Sequence, residues 1–284
     1  MHRRKFIKNS ALVLTGMGLT TGLYAWQIEP FWLEFVRKQM AIPHLPEKLV
    51  GKTLLQISDL HVGNRFDYQY LIDSLQKAQK LQPDFVVYTG DFVTYEDAKQ
   101  FAQLEEVLVH AAKGKLGTLA VLGNHDYGEN WKEHEVATEV VHRLSSAGIQ
   151  VLRNGKKTIE DLAFIGFDDY WGLNFNPKKA MSSYDPNQAT IALCHNPDVC
   201  DLDIWNGYQG WILSGHTHGG QVKPPFLHPP QLPVVNPRYV AGEIDLHDGR
   251  TLYINRALGH LIQVRFNVRP EITIFELRRR SDLG

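Results

Sequence analysis

The chain has 284 residues, 43% of them hydrophobic, so it can bury one large core and does not require two catalytic domains. Thirty basic and thirty-one acidic side chains give a formal net charge of -1, which disfavours a dedicated DNA or RNA binder, and we expect no nucleic-acid partner. Two cysteines are too few for a disulfide framework, so we expect Cys194 and Cys200 to be buried free thiols.

Residues 1–30 differ in kind from the rest of the chain. Arg3 and Arg4 belong to a basic head, and residues 10–25 contain no acidic or basic side chain. This pattern is typical of a twin-arginine (Tat) export signal, and a basic tail before a buried helix is the alternative. We therefore expect a leader over 1–30, the Tat translocase as a partner, and a location in the periplasm or on the outer face of the cytoplasmic membrane. No tidy A-x-A cleavage site is present, so cleavage and retention as an N-terminal anchor both stay open.

From residue 52 onward, short apolar runs alternate with amphipathic stretches of helical period. Strands separated by helices of this length are typical of βαβ units and a largely parallel sheet. The predicted strands of this half cover 53–57, 84–88 and 118–122, and the predicted helices cover 70–81, 98–112 and 136–147.

The second half of the chain has strand-like runs with few helices between them, at 163–167, 190–194, 210–213, 251–255 and 271–276. These runs predict a second, more antiparallel sheet packed on the first. Residues 31–40 fit either a strand or an amphipathic helix. The proline-rich run 224–237 is expected to be a rigid loop, because strand candidates follow it.

Side chains of the types that bind metals follow five of the predicted strands. In open α/β sheets, catalytic groups gather beyond the carboxyl ends of the strands, so we expect these side chains to share one rim. Glycines at 90, 123 and 215 precede them, where the chain must turn sharply. In chain order the clusters are Asp59 with His61, Asp91, Asn124 with His125, His195, and His216 with His218.

The chemistry of these side chains restricts the metals that the rim can hold. Carboxylate, imidazole and amide ligands suit Mn, Fe, Co or Zn, and they differ from an all-oxygen calcium or magnesium site and from a thiolate zinc site. Two ions about 3.5 to 4 Å apart would share a bridging carboxylate, and Asp91 is the natural bridge. Each cluster alone more often marks a turn or a cap, but their joint occurrence predicts two divalent metal ions.

The blocks D-x-H, G-D, G-N-H-D, H and G-H-x-H occur in this order between residues 51 and 277, and here the chain resembles the calcineurin-like metallophosphoesterases. The extended G-H-T-H-G-G-Q block and the V-R-F and R-P-E-I ending look like the YkuE/YaeI-like branch, whose members are often exported or membrane-associated bacterial phosphodiesterases. The resemblance implies an α/β fold, the metallo-dependent phosphatase fold, which is a four-layer αββα sandwich of two packed mixed β-sheets. We place this domain at residues 45–280.

Carried onto this chain, the resemblance implies two metal half-sites joined by Asp91. A hydroxide shared by the ions would attack phosphorus, while His125 would stabilise the transition state or protonate the leaving oxygen. Asp126 would orient His125 or its loop. The segment 256–260 departs from close relatives and leaves any substrate role of Arg256 or His260 in doubt. The implied ligands of one metal are Asp59, His61 and His218, and those of the other are Asn124, His195 and His216.

The implied function is that of a dinuclear metal-dependent phosphohydrolase, a phosphodiesterase that cleaves P–O bonds of a phosphoester substrate. An alternative is a UDP-2,3-diacylglucosamine-type pyrophosphate hydrolase of lipid metabolism, with a lipid-linked substrate and membrane association. A non-catalytic scaffold on the same fold is the alternative of another class, although such proteins usually lose ligands. Trp171 and Phe175 are candidates for the lining of the pocket.

Overall fold

The computed structural model describes residues 2–280. Two six-stranded sheets pack face to face around an apolar core. The strands are β1 (Glu34–Ile42), β2 (Thr53–Ile57), β3 (Phe85–Thr89), β4 (Gly117–Val121), β5 (Gln150–Val151), β6 (Gly155–Ile159), β7 (Leu162–Gly166), β8 (Thr190–Leu193), β9 (Gly210–Ser214), β10 (Gly242–Asp245), β11 (Arg250–Ile254) and β12 (Glu271–Arg279). The α-helices in the described residues are α1 (His2–Gln27), α2 (Gln69–Gln79), α3 (Lys99–Leu108), α4 (His134–Ser146) and α5 (Pro177–Met181).

The first sheet has the strand order β1-β12-β2-β3-β4-β5, and β2 to β5 are parallel to one another. The helices α2, α3 and α4 cover its outer face because each presents an apolar stripe at helical spacing. Leu71 and Leu75 form this stripe in α2, and Val140 and Leu144 do so in α4. The sheet is therefore buried on both faces, as the run of fully buried residues in β3 requires.

The second sheet has the strand order β10-β11-β9-β8-β7-β6, and it is the more antiparallel of the two as predicted, since two of its five strand pairs are antiparallel against one of five in the first sheet. Its four central strands are parallel, and only the pairs β10–β11 and β6–β7 at its edges are antiparallel. The crossovers between the parallel strands run through the short helix α5 and the 3-10 helix Pro197–Asp201. Because these crossovers lack long amphipathic helices, the helical period that reveals βαβ units is absent from this half.

The last predicted strand lies in the first sheet and not in the second. As β12 it pairs in parallel with β1 and antiparallel with β2. Residues 31–40, which fitted a helix or a strand, form the 3-10 helix Glu29–Phe31 followed by β1. The apolar pattern of a strand shows that it is buried, whereas the choice of sheet depends on pairing with strands far away in the chain.

The other predicted elements agree with the structure to within a few residues. The strand at 53–57 matches β2, and the proline-rich run 224–237 has no regular secondary structure. Cys194 and Cys200 are buried free thiols, as predicted. The two mixed sheets with flanking helices confirm the predicted αββα architecture.

The whole of α1 lies within residues 1–30, which were predicted as a leader, and nearly all of its described side chains are exposed. Within residues 2–280, no helix has both the length and the hydrophobicity that a membrane crossing needs.

Candidate metal centre

Five strand ends deliver the predicted side chains to one rim. The strands β2, β3 and β4 of the first sheet and β8 and β9 of the second supply them. The two sheets are joined at this rim, because the Gln56 side chain donates to the carbonyl oxygen of Ser214 at 2.9 Å and His216 N donates to the Asp59 carboxylate at 3.1 Å. Asn124 is buried at the start of the 3-10 helix that follows β4. The side chains brought together are Asp59, His61, Asp91, His125, His195, His216 and His218.

The backbone at this rim is strained. Asp59, His61, Asp91, His216 and His218 all have left-handed backbones, with φ between 49° and 73°. A residue other than glycine in this region costs on the order of 1–3 kcal/mol, and such residues cluster at functional sites. All five strained residues lie within a few residues of a strand end. The local backbone conformation therefore costs stability, and what it provides is the position of the site side chains.

Glycines let the site segments approach one another closely. A Cβ on Gly215 would lie 2.3 Å from a carboxylate oxygen of Asp59, and a Cβ on Gly90 would lie 2.6 Å from Nδ1 of His195. Gly90 also has a φ of 93°, which favours glycine. Any side chain at either position would push a site residue out of place.

The first half-site consists of Asp59, His61 and His218. Nε2 of His218 lies 3.2 Å from Oδ1 of Asp59 and 3.0 Å from Nε2 of His61. Nδ1 of His61 lies 3.1 Å from the hydroxyl oxygen of Thr94, which fixes the orientation of the ring. The two Nε2 atoms and the carboxylate oxygen therefore point at one small volume.

The second half-site contains Asp91, His195 and His216. Nε2 of His195 lies 3.1 Å from Oδ2 of Asp91 and 3.2 Å from Nδ1 of His216. His195 donates through Nδ1 to the carbonyl oxygen of Thr89 at 2.7 Å, and His216 donates through Nε2 to that of Pro233 at 2.8 Å. Because a carbonyl only accepts, each ring turns its other nitrogen into the site.

Asp91 lies between the two half-sites. Its Oδ2 lies 3.5 Å from Nε2 of His61 and 3.1 Å from Nε2 of His195. Its Oδ1 accepts a hydrogen bond from the backbone N–H of His125 at 2.9 Å. One carboxylate oxygen is thus shared by the two groups of imidazoles.

These residues fit divalent metal ions. Two groups of ligand atoms, one from Asp59, His61 and His218 and one from Asp91, His195 and His216, each lie within 4.8 Å of one another. Oδ1 of Asn124 is buried and has no hydrogen-bond partner among residues 2–280. A buried amide oxygen without a partner, in the residue directly before His125, is a group that a bound cation would satisfy.

The carboxylates of the centre are held in their ionised form. Burial raises the pKa of Asp91, but the neighbouring His195 and His125 outweigh burial and hold the pKa well below its usual value. Burial likewise opposes the effect of His218 on Asp59, whose pKa is lowered to about 2. Both carboxylates are therefore available as anionic ligands.

Most imidazoles of the centre are held in their neutral form. Burial lowers the pKa of His61 well below its usual value, and burial together with His195 lowers the pKa of His216 to about 3. His195 is the exception: burial lowers its pKa, but the Asp91 carboxylate outweighs burial and raises the pKa well above its usual value. A metal ion at this position would replace the proton that His195 shares with Asp91.

Comparison with known proteins agrees with this geometry. A model of the family described as calcineurin-like phosphoesterase matches residues 52–220, more than half of the chain. The chain belongs to the calcineurin-like phosphoesterase family. It is therefore a metallophosphoesterase, a hydrolase of phosphoester bonds, and its buried Asp and His residues suit divalent metal ions.

Three relatives of this metallophosphoesterase match over almost their whole length. Phosphodiesterase YaeI of Escherichia coli is 30% identical over 97% of this chain and 98% of its own. The uncharacterized metallophosphoesterase YkuE of Bacillus subtilis is 31% identical over 98% of each chain. UDP-2,3-diacylglucosamine pyrophosphatase LpxG of Chlamydia muridarum is 27% identical over 93% of this chain and 95% of its own.

His125 lies at the edge of the centre of this metallophosphoesterase and is partly exposed. Its ring centroid lies 5.1 Å from that of His61, and burial lowers its pKa. A nitrogen of His125 also falls within 4.8 Å of ligand atoms of His61 and Asp91, so the geometry permits it as a ligand as well as an acid.

Asp126 is fully buried and binds the loop that carries Asp91. Its carboxylate accepts hydrogen bonds from the backbone N–H groups of Asp91 at 3.0 Å, Phe92 at 2.8 Å and Gly123 at 2.9 Å. Asp126 thereby ties the end of β3 to the end of β4 and fixes both segments on which the bridge carboxylate depends.

Two tryptophans form an aromatic wall over the rim. The rings of Trp131 and Trp171 stack with centroids 5.0 Å apart, and Trp171 meets His216 edge-on at 4.6 Å. Trp131 meets His125 at 6.0 Å. Trp171 thus lines the site, whereas Phe175 packs away from it against Phe167 and Tyr170.

Asp169 is a site residue that the sequence reasoning missed. It lies just beyond β7 and is buried, and its Oδ1 has no hydrogen-bond partner among the described residues. Burial raises its pKa to about 7, while the charge of His195 opposes this effect. The available signal was an acidic pair at the end of a strand parallel to β8, the same position that the other site residues occupy.

Arg256 and His260, whose substrate role was in doubt, are engaged elsewhere. Arg256 forms ion pairs with Glu271 and, at 2.9 Å, with Glu34. His260 is fully buried, with its ring centroid 4.1 Å from that of Phe66. Arg256 therefore joins β1 to β12, and His260 packs in the core beside Phe66.

Proposed function

We propose that this metallophosphoesterase is a dinuclear phosphodiesterase. Asp59, His61 and His218 would hold one ion, Asn124, His195 and His216 would hold the other, and Asp91 would bridge them. The observation that carries this assignment is the shared position of one Asp91 oxygen, 3.5 Å from His61 and 3.1 Å from His195. The name of the YaeI relative supports a diester as the substrate class. Mn, Fe, Zn and Co all suit these ligands.

When bound, the two ions supply an activated water and neutralise charge on the phosphoryl oxygens. The second contribution comes from His125, which stands between His61 and the aromatic wall. In this position it donates a proton to the leaving oxygen of the ester. Burial disfavours the protonated ring, and the negative charge of a bound phosphoester restores it by raising the pKa.

Asp126 acts on the reaction by holding the loops, since its hydrogen bonds reach the backbone N–H groups of Asp91 and Gly123. The wall of Trp131 and Trp171 covers the second half-site, keeps His216 in place and limits the access of bulk water.

The test is to load the full chain with Mn, Zn, Fe or Co and to measure bound metal and turnover together. We expect two ions per chain and faster hydrolysis of bis-p-nitrophenyl phosphate than of p-nitrophenyl phosphate. A chain that binds one ion, or that prefers the monoester, would contradict the proposal. A folded chain that binds no metal would instead support a non-catalytic scaffold.

A pyrophosphate hydrolase acting on a nucleotide-linked lipid is the second candidate, supported by the printed names of the LpxG relatives. Both candidates use the same two ions and the same attack on phosphorus, and they differ in the groups that bind the rest of the substrate. Incubation with UDP-2,3-diacylglucosamine separates them, because release of UMP at a rate above that of bis-p-nitrophenyl phosphate favours the second.

We also propose that the chain is exported by the Tat translocase and acts at the cell envelope. The basic head with Arg3 and Arg4 and the uncharged run 10–25 support this proposal. Substitution of both arginines, Arg3→Lys with Arg4→Lys, should leave the enzyme in the cytoplasmic fraction. Unchanged export of the double variant would rule out the twin-arginine route.

A further inference from the structure

Three segments far apart in the chain are joined beside the metal centre. Lys223 N donates to the carbonyl oxygen of Phe266 at 2.9 Å, and Phe266 N donates to that of Gln221 at the same distance. The segment around Phe266 is bonded in turn to the end of α1, since Arg265 N donates to the carbonyl oxygen of Ala25 at 2.8 Å. The end of α1, the start of the proline-rich loop and residues 262–268 thus form one continuous surface.

Large apolar side chains project into solvent from all three segments. Phe226 is as exposed as in an extended chain, at 106%, and Leu227 and Ile262 are 63% and 65% exposed. Trp26 at the end of α1 is 53% exposed, and Trp32, five residues beyond α1 with its carbonyl oxygen hydrogen-bonded to Arg269, is 51% exposed. Single exposed apolar residues are ordinary, but five large ones on hydrogen-bonded neighbouring segments indicate a binding surface. We call these five side chains the apolar face.

Basic side chains accompany the apolar face on the loop that carries Phe226 and Leu227. Residues 219–242 contain Lys223 and Arg238 and no Asp or Glu, and both basic side chains are exposed. The guanidinium of Arg269 lies 4.2 Å from the ring centroid of Trp32. The partner of this surface must therefore tolerate apolar side chains and carry negative charge.

We propose that the apolar face docks on the surface of a lipid bilayer that contains anionic lipids. Tryptophan prefers the level of the headgroups, and basic side chains nearby gain about 1 kcal/mol each from an anionic leaflet. Phe226 and Leu227, at the tip of a loop stiffened by prolines, enter the boundary between headgroups and acyl chains. An uncharged or mixed-charge protein surface would leave the basic residues unmatched.

Docking in this orientation brings the metal centre to the membrane. Gln221 follows His218 by three residues, and the carbonyl oxygen of Pro233 accepts the hydrogen bond of the His216 ring. The same loop therefore borders the bilayer and contacts a residue of the second half-site. Docking depends on this surface alone, whichever phosphoester the enzyme cleaves.

The test compares binding of the full chain to phosphatidylcholine vesicles with and without phosphatidylglycerol, by co-sedimentation. We expect binding that is stronger with the anionic lipid. The double substitution Phe226→Asp with Leu227→Asp should lower the partition coefficient by about tenfold or more, since it removes two inserted side chains and adds repulsion. The matched control, Val109→Asp, changes a side chain that is 78% exposed after α3 and should bind like the unchanged chain.

Turnover of bis-p-nitrophenyl phosphate in solution is measured for all these proteins and should be the same, which shows that the variants are folded. Equal vesicle binding by the double variant and the unchanged chain would overturn the proposal, as would equal losses in the double variant and the control. Absence of vesicle binding, with a dimer that the double substitution dissociates, would show that the face binds a second copy. Failure of the diester assay with intact vesicle binding would count against the proposed function alone.

Discussion

Two buried polar clusters of this enzyme differ in what satisfies their side chains. In the metal centre, the Nε2 atoms of His61 and His218 face each other at 3.0 Å, and Oδ1 of Asn124 has no partner among the described residues. In the second cluster, the buried guanidinium of Arg265 donates to four backbone carbonyl oxygens, including that of Gly259 at 2.7 Å. We call the second group, which also contains Arg256 and His260, the arginine cluster.

The difference shows that burial of polar groups is not in itself a sign of function. In the arginine cluster, Arg265 donates to backbone carbonyl oxygens and Arg256 pairs with Glu271 and Glu34. Both arginines therefore contribute to the fold, while the ring nitrogens of His260 have no partner among the described residues. The metal centre leaves donor atoms aimed at one another, so it is complete only with bound ions. Substitutions in the arginine cluster should therefore lower the free energy of unfolding, and substitutions in the metal centre should lower metal content and turnover.

The largest expected effect is that of Asp91→Asn. The substitution removes the negative charge that the two half-sites share. Loss of a residue that only hydrogen-bonds a metal ligand already lowers activity by about 10–100-fold, so loss of the bridging ligand should lower turnover by more than about 100-fold. Bound metal should fall below two ions per chain by elemental analysis. The unfolding temperature of the metal-free variant should be no lower than that of the metal-free unchanged chain, because burial of the Asp91 carboxylate serves metal binding and not stability. Full turnover of bis-p-nitrophenyl phosphate would refute the bridging role.

The substitution His125→Ala tests whether His125 is a general acid or a metal ligand. The variant should retain both ions and lose about 10²–10⁴-fold in turnover, the usual contribution of a general acid. The loss should be smaller for a p-nitrophenyl ester than for an alkyl ester, because p-nitrophenolate leaves without a proton. Loss of an ion from this variant would instead make His125 a ligand, which its position near His61 and Asp91 permits.

Much of the fold and of the metal centre could be predicted from the sequence, and the features that could not be predicted were missed for physical reasons. The site residues follow strands, and strand β2 was predicted at its observed limits because its apolar run is bounded by turn residues. The parallel centre of the second sheet and the place of β12 in the first sheet were missed, because pairing between distant strands leaves no local period. Trp131 and Asp169 were missed because their roles depend on contacts made only in the folded chain.

Arg265→Met tests the arginine cluster itself. It leaves buried carbonyl oxygens without donors, and we expect the free energy of unfolding in urea to fall by about 3–5 kcal/mol. Metal content per folded chain should not change. The control Arg65→Met removes an arginine that is 47% exposed and should change stability by less than about 0.5 kcal/mol. Loss of metal from folded Arg265→Met would merge the two clusters into one functional unit.

The smallest expected effect concerns His260, which is buried with no hydrogen-bond partner for either ring nitrogen among residues 2–280. Burial lowers its pKa to about 2, whereas an unfolded histidine has a pKa of about 6.5. Between these values the unfolded chain binds one proton more than the folded chain, so this group destabilises the fold progressively as the pH drops below about 6.5.

His260→Phe keeps an aromatic ring against Phe66 and removes this titration. In urea unfolding of the metal-free proteins between pH 6.5 and pH 4.5, the unchanged chain should lose up to about 1.4 kcal/mol more per pH unit than the variant. The ligand histidines titrate in both proteins, so their effect cancels in the comparison. Equal slopes would mean that the ring of His260 gains a proton in the folded chain, and the arginine cluster would then tolerate a second positive charge beside Arg265.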